Sequence, residues 1–489
     1  MVFNSVAFVL FFFLAAAVYF ALPHRVRWLW LILSSAAFYL SFIPAYLGVL
    51  LSVALLNYAA GLAIERSAGA RRKRVFVLGL AANILVLVFF KYSSLFDATL
   101  SALARFLDLR CPEGLLRVVL PLGLSFFVFT ALAYLIEIHR GKIRAERHPG
   151  VLAAYFLFFP KLAQGPIERP GDLLHQFREP HALDAERISS GLRLMLFGYF
   201  KKLVVADRLG LYVDAVYGNA DHHGGASLLL ATLFYSFQIY ADFSGYTDIA
   251  LGSARVLGFR LSPNFRRPYL AVSISDFWNR WHITLSTWLR DYLFLPLAYF
   301  FSNRIRGPRV LFLKADKWVY FFSVFITFLI CGAWHGEGLN YVVWGGLYGL
   351  YLTVSTWTRK AERRFVRSIG LARRPRFHQA LRVLSTFALV TFAWIFFRGG
   401  ETERILQIIG KIAASPGRLF LDSPSTMIYS VLGVAAVIVL DVREEFFEGR
   451  FSPFAHRSAF VRCFAHAALA VTVLLFGVLD GGQFIYFQF

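Results

Sequence analysis

Long apolar stretches recur along this chain, separated by short polar segments. A helix that crosses a bilayer needs about 20 mainly apolar residues. Stretches of that kind start near Val2, Trp28, Tyr46, Val75, Val118, Ser189, Ser227, Trp318, Leu339, Ala380, Thr426 and Ala459. One more, Val151 to Leu162, is short, contains Pro160 and runs into Gly165-Pro166, which predicts a re-entrant or half-length helix. Irregular backbone survives at membrane depth only where protein buries it or water reaches it, so the break points to a cavity. The pattern predicts an all-α polytopic membrane protein of about 11–13 spans. The first apolar run lacks a basic leading segment and a small-residue cleavage site, and reads as a retained helix.

The segment from Tyr240 to Arg309 departs from this pattern. It is too polar to span and too apolar for a free loop. Phe277, Trp278, Trp281, Leu285, Trp288 and Leu289 recur at spacings of three and four, as on one face of a helix. The opposite positions carry Asn279, Arg280, Thr284 and Arg290. We expect an amphipathic helix lying in the interface or dipping into the bilayer, capped by Ser273 or Ser275, with Asp276 in its first turn.

Composition agrees with lipid as the solvent. The chain is 58% hydrophobic and 16% charged, whereas soluble domains carry about 25% charged residues. The net charge of +22 could suggest nucleic acid, but the basic residues cluster in short loops. Arg25 and Arg27, Arg66 to Arg74, Arg140 to Arg147 and Arg359 to Arg376 alternate with loops poor in Lys and Arg. The positive-inside rule then puts these loops in the cytoplasm and the N-terminus outside. No nucleic-acid partner is expected. Cys111, Cys331 and Cys463 lie far apart, so neither a disulfide framework nor a cysteine metal site is expected. Internal repeats of the transporter kind are absent from the sequence, as are Walker, G-x-S-x-G and H-E-x-x-H motifs.

Two of the twelve histidines carry the candidate chemistry. His335 falls between two apolar runs, at a hairpin apex or a break, bracketed by Gly332, Gly336 and Gly338. Histidine is a natural general base near neutral pH, and acyl transfer to a hydroxyl needs one, together with oxyanion donors. Trp334, Asn340 and glycine amides are the nearby donors. The alternative is a histidine hydrogen-bonded at a helix end. His282 lies among tryptophans beside Arg280; it could orient substrate, line a tunnel or reach for the headgroups. Asp242 and Asp248 could hold a cation, but pairing with Arg255 and Arg260 is preferred. Arg266 and Arg267 could grip phosphate or serve lipid headgroups and topology.

Several strings together resemble the membrane-bound O-acyltransferase family, and within it the alginate O-acetyltransferase type. They are PLGLSFFVFTALAYLIEIHRG from Pro121, FFPKLAQGPIERPGDLLHQF from Phe158, YSFQIYADFSGYTDIALGSARVLGF from Tyr235, NFRRPYLAVSISDFWNRWHITLSTWLRDYLFLPL from Asn264, CGAWHGEGLNYVVWGGLYG from Cys331, and the terminal FIYFQF. The resemblance implies a helical ring with re-entrant helices around a central tunnel. It implies that His335 is catalytic and that His282 is a second functional histidine. Trp278, Arg280, Trp281, Trp334, Asn340, Arg266 and Arg267 are the associated substrate- or donor-binding candidates.

The implied activity moves acetyl groups from cytoplasmic acetyl-CoA across the membrane to an extracellular polysaccharide. A periplasmic or surface acetyltransferase would be the partner protein, membrane lipids would surround the chain, and no metal or bound cofactor is expected. The location would be the inner (plasma) membrane, and the chain would form one domain, divided as 1–120, 121–360 and 361–489. Two other readings stay open: D-alanyl transfer to teichoic acid from a carrier-protein thioester, and a polysaccharide transporter or scaffold without catalysis.

Overall fold

The computed structural model describes residues 1–109, 114, 118–305, 307–310, 313–447 and 452–479. Cys111 and the terminal 484–489 string lie outside them. The described chain is almost entirely helical, with a two-residue hairpin as its strand content, Arg309–Val310 antiparallel to Leu313–Lys314. Each expected span has a helix beginning within six residues of its expected start. Among the described residues, seven helices are long and apolar enough to cross a bilayer: Ala45–Arg66, Gly69–Lys91, Gly225–Leu257, Ala315–His335, Pro375–Arg398, Pro424–Phe446 and Ala459–Phe476. Val6–Ala21 and Leu124–His139 are apolar but shorter. Others fall short for local reasons. His24–Leu40 opens on His24, Arg25 and Arg27, and Ala185–Tyr199 passes into a π-helical stretch, Phe200–Ala206. Leu339–Ser368 mixes Tyr, Trp and Gly into its first half and arginines into its second.

The chain forms two compact units: Met1–Met195 with Tyr246–Ser262, and Leu196–Gly245 with Pro263–Phe489. In the first unit, Asn57 and Asn83 exchange amide hydrogen bonds of 2.9 and 3.0 Å between neighbouring helices, both side chains being fully buried. Such bonds are worth about 1 kcal/mol between membrane helices. The segment expected to be half-length is so: Pro149–Leu157 has nine residues, too few to cross, and a one-turn helix, Phe159–Leu162, follows it. Six of the nine residues of the first and all four of the second are buried in protein.

The second unit is built around the antiparallel helices Ala315–His335 and Leu339–Ser368. Glycines set their approach. A Cβ at Gly345 would stand 2.1 Å from the Phe328 carbonyl oxygen, and one at Gly332 would stand 2.2 Å from that of Tyr341. Small residues let helix backbones close in where lipid offers no hydrophobic drive.

The sequence predicted one amphipathic helix after Ser273. The structure has two, Ile274–Trp278 and Ile283–Leu289, broken at His282, which takes left-handed backbone angles of φ 42° and ψ 55°. The six apolar positions are nonetheless all buried, now divided between the two helices and the break. Ser273 caps the first helix by accepting a 3.1 Å hydrogen bond from the Asp276 amide. Thr284, assigned to the polar face, is buried and bonded to Asn264.

Candidate active site

His335 is the last residue of Ala315–His335, and the Gly336–Gly338 turn that follows starts the return helix. Its side chain is buried. Three rings enclose it: Trp334 at 4.6 Å between centroids, Trp344 at 4.9 Å and Phe397 at 5.1 Å. Trp344 was not singled out from the sequence. It arrives because the glycine turn folds the next helix back, and its place in the WGG string was the available signal. Asn340 donates its amide to the Phe396 carbonyl at 3.0 Å, which ties it to Pro375–Arg398.

His282 is 1% exposed. Its left-handed backbone costs about 1–3 kcal/mol and persists only where surrounding structure fixes it. Here the stretches 264–267 and 280–283 are joined by two backbone hydrogen bonds of 2.9 Å: the Arg266 amide donates to the Arg280 carbonyl, and the Ile283 amide to the Asn264 carbonyl. Arg267, at φ 47°, is the second left-handed residue of this pair.

Asn264 also sets the imidazole. Its Oδ1 lies 3.0 Å from His282 Nδ1 and accepts hydrogen bonds from the Thr284 amide at 3.2 Å and Oγ1 at 2.9 Å. A backbone amide can only donate, so the Asn264 atom facing it is the oxygen. His282 Nδ1 therefore carries the proton, and in the neutral ring Nε2 keeps its lone pair. His282 lies outside the seven candidate spans, and burial pushes its pKa down to about 3, so the ring is neutral at pH 7. Phe243 of the Gly225–Leu257 helix packs edge-on against it at 4.8 Å.

A continuous aromatic cluster lies between these histidines. Trp281, next to His282, stands 5.2 Å from Trp394, which stands 6.0 Å from Trp344, the ring beside His335. Trp278 meets Trp344 at 6.0 Å. The indole N–H groups of Trp278 and Trp344 are buried without a hydrogen-bond acceptor among the described residues. A buried donor left this way is costly, so these two are suited to a substrate oxygen.

Trp278 also lines a cavity of about 230 Å³, with Ile283, Thr287, Val324, Phe328 and Leu352 among its walls and Ser286 and Arg290 adding polar groups.

The arginine candidates divide. Arg280 pairs with Asp276 and Glu445, each at 2.9 Å, and Arg267 with Glu445 at 2.6 Å. Arg266 is exposed. Asp242 takes a partner other than the expected arginine: Lys202 Nζ lies 2.7 Å from both Asp242 and Asp207, and all three side chains are buried. The π-helical turn at Phe200–Ala206 carries Lys202, and the arginines near Asp242 in sequence turn elsewhere; Arg255 donates to Ser190 Oγ at 2.9 Å.

Residues 148–398 match the family model of MBOAT, the membrane-bound O-acyltransferase family, and this range contains every one of the site residues named above except Glu445. A probable alginate O-acetylase AlgI of Pseudomonas syringae is 35% identical over 81% of this chain and 72% of its own length. A peptidoglycan O-acetyltransferase of Helicobacter pylori is 32% identical over 78% of this chain and 72% of its own. A teichoic acid D-alanyltransferase of Bacillus subtilis is 25% identical over 57% of this chain and 68% of its own.

Proposed function

Since the chain belongs to the membrane-bound O-acyltransferase family, and is therefore a multi-pass membrane O-acyltransferase, we propose that it moves acetyl from acetyl-CoA to hydroxyls of an extracellular polysaccharide of the alginate kind. The observation that carries this reading is the aromatic cluster that joins the two histidines and reaches the 230 Å³ cavity at Trp278. The relatives named for acetyl transfer match more of the chain, and at higher identity, than those named for D-alanyl transfer.

In this mechanism the thioester arm lies in the Trp278-lined cavity. His335 takes the proton of the attacking hydroxyl as its oxygen bonds to the acetyl carbon. The Trp278 and Trp344 indoles donate to the developing oxyanion, and the carbon–sulfur bond then breaks to release coenzyme A as the thiolate, which takes up the proton. His282, its tautomer fixed by Asn264, presents Nε2 to the acyl or acceptor group. Trp281 and Trp334 wall the path, Asn340 holds the His335 turn, and Arg267 and Arg280 fix the His282 loop through Glu445. Arg266 stands at the surface for donor phosphate or headgroups.

On this reading the basic loops face the cytoplasm of an inner (plasma) membrane and the N-terminus faces out. The whole chain acts as one acyltransferase domain, and it hands acetyl to a periplasmic or surface partner that meets the polymer. The test is labelled acetyl-CoA supplied to the reconstituted protein with a hydroxyl acceptor. Thioester loss and acceptor labelling should appear with the wild type and vanish with a folded His335→Ala. Full activity in that variant contradicts the assignment.

A further inference from the structure

The end of the second unit that carries Arg359 holds a larger cavity, of about 650 Å³. Two helices supply its charge. Arg359, Arg363 and Arg367 stand on successive turns of Leu339–Ser368, and His378 and Arg382 stand one turn apart near the start of Pro375–Arg398. Glu362 is the single carboxylate in the lining. Among the described residues, none of the four arginines has a carboxylate oxygen within 4.0 Å, whereas Arg267 and Arg280 of the same unit are both neutralised by Glu445.

Membrane topology requires a number of basic residues in a loop, not their convergence on one cavity. Lys360, Arg364, Arg373, Arg374 and Arg376 supply the number while lying outside the lining. Like charges four residues apart on a helix repel. An anion that several guanidinium groups can share removes that repulsion, and the planar fork of arginine fits phosphate oxygens two at a time.

The cavity also has a defined neighbour. Val272 lines it, and Ser275 lines the smaller cavity that reaches Trp278. Three residues of chain extend at most about 11 Å, so a wall residue of one cavity lies within that distance of a wall residue of the other.

We propose that the Arg359–Arg382 cavity binds phosphate esters, and that the ester it serves is the phosphorylated end of the acyl donor, whose thioester arm enters the smaller cavity. The phosphate chemistry stands independently; its assignment to the donor rests on the acetyl-CoA reading. A lipid headgroup offers the same chemistry and is separated by the test.

The full chain, in nanodiscs of phosphatidylcholine, is titrated with adenosine 3′,5′-bisphosphate. Three forms are compared: wild type, the cavity variant Arg363→Gln/Arg367→Gln/Arg382→Gln, and the control Arg364→Gln/Arg373→Gln/Arg376→Gln, which removes equal charge outside the lining. The expected result is binding that weakens at least tenfold in the cavity variant and less than threefold in the control. If the bisphosphate does not bind, but phosphatidylglycerol retained from mixed nanodiscs is lost in the cavity variant alone, the site is a phosphate site for lipid. Equal behaviour of the cavity and control variants, for both ligands, overturns the proposal. Phosphate-free S-acetylpantetheine distinguishes the underlying reading: its turnover should be the same in all three forms. Absence of turnover with any thioester sinks the acetyl-transfer reading and leaves the binding result standing.

Discussion

At the scale of single residues, His282 combines a strained backbone with a fixed tautomer. Asparagine enters the left-handed region more readily than other residues. His282→Asn should therefore keep the fold and lose acyl transfer, while His282→Ala should lose both activity and some thermal stability. A His282→Asn protein with wild-type turnover would remove His282 from the mechanism. Asn264→Leu keeps the ring but frees its tautomer. We expect kcat to fall about 10–100-fold, by analogy with the loss when the partner that orients a metal-bound histidine is removed.

The same ring gives a pH prediction. Its folded pKa, about 3, is depressed below the usual imidazole value of 6.5, so between those limits the unfolded state binds more protons. The stability it contributes is present above about pH 6.5 and is lost as pH falls toward 3. Denaturant unfolding in detergent should show that decline, and His282→Asn should flatten it. Little of this was legible in the sequence. The aromatic spacing of 277–289 is the same for one helix or two, so the break left no trace. Asn264 lies 18 positions from its histidine, and no local pattern joins them.

At the scale of elements, the hairpin that ends in His335 depends on glycine contacts with backbone atoms, which cannot move aside as a side chain can. Gly345→Ala and Gly332→Ala should each cost about 2 kcal/mol or more, by analogy with overpacked cores. Thermal unfolding in detergent measures this, and because His335 sits at the helix end, turnover should fall further for Gly332→Ala than for Gly345→Ala. Gly48→Ala, where nothing lies within 4 Å of the added carbon, is the matched control and should leave turnover unchanged and stability no lower. The hairpin was readable in advance because glycines bracket a polar residue between two apolar runs. Ser93–Phe106 and Thr402–Ala414 were not foreseen: at 14 and 13 residues they are too short to register as spans.

At the scale of the whole molecule, the apolar pattern located the helices well because lipid imposes one strong demand, that every backbone polar group be satisfied within the segment. Charges buried between helices obey a different demand. Lys202 holds Asp207 and Asp242 away from water, and removing one member of such a group leaves buried charge uncompensated. Lys202→Met should destabilise the protein by about 3–5 kcal/mol, seen as a lowered unfolding temperature in detergent. An unchanged transition would show that the two carboxyl groups are protonated or hydrated instead.

The central claim is that His282 and His335 serve one acyl-transfer site, although 53 positions separate them in sequence. Groups that act as a unit give grossly non-additive losses when removed. The direct measurement is coenzyme A release from acetyl-CoA by reconstituted wild type, His335→Ala, His282→Asn and the double variant, each checked for folding. The account predicts that both single variants fall by at least about 100-fold and that the double variant is no slower than the worse of the two. Multiplied losses in the double variant, or a single variant with wild-type release, would contradict it.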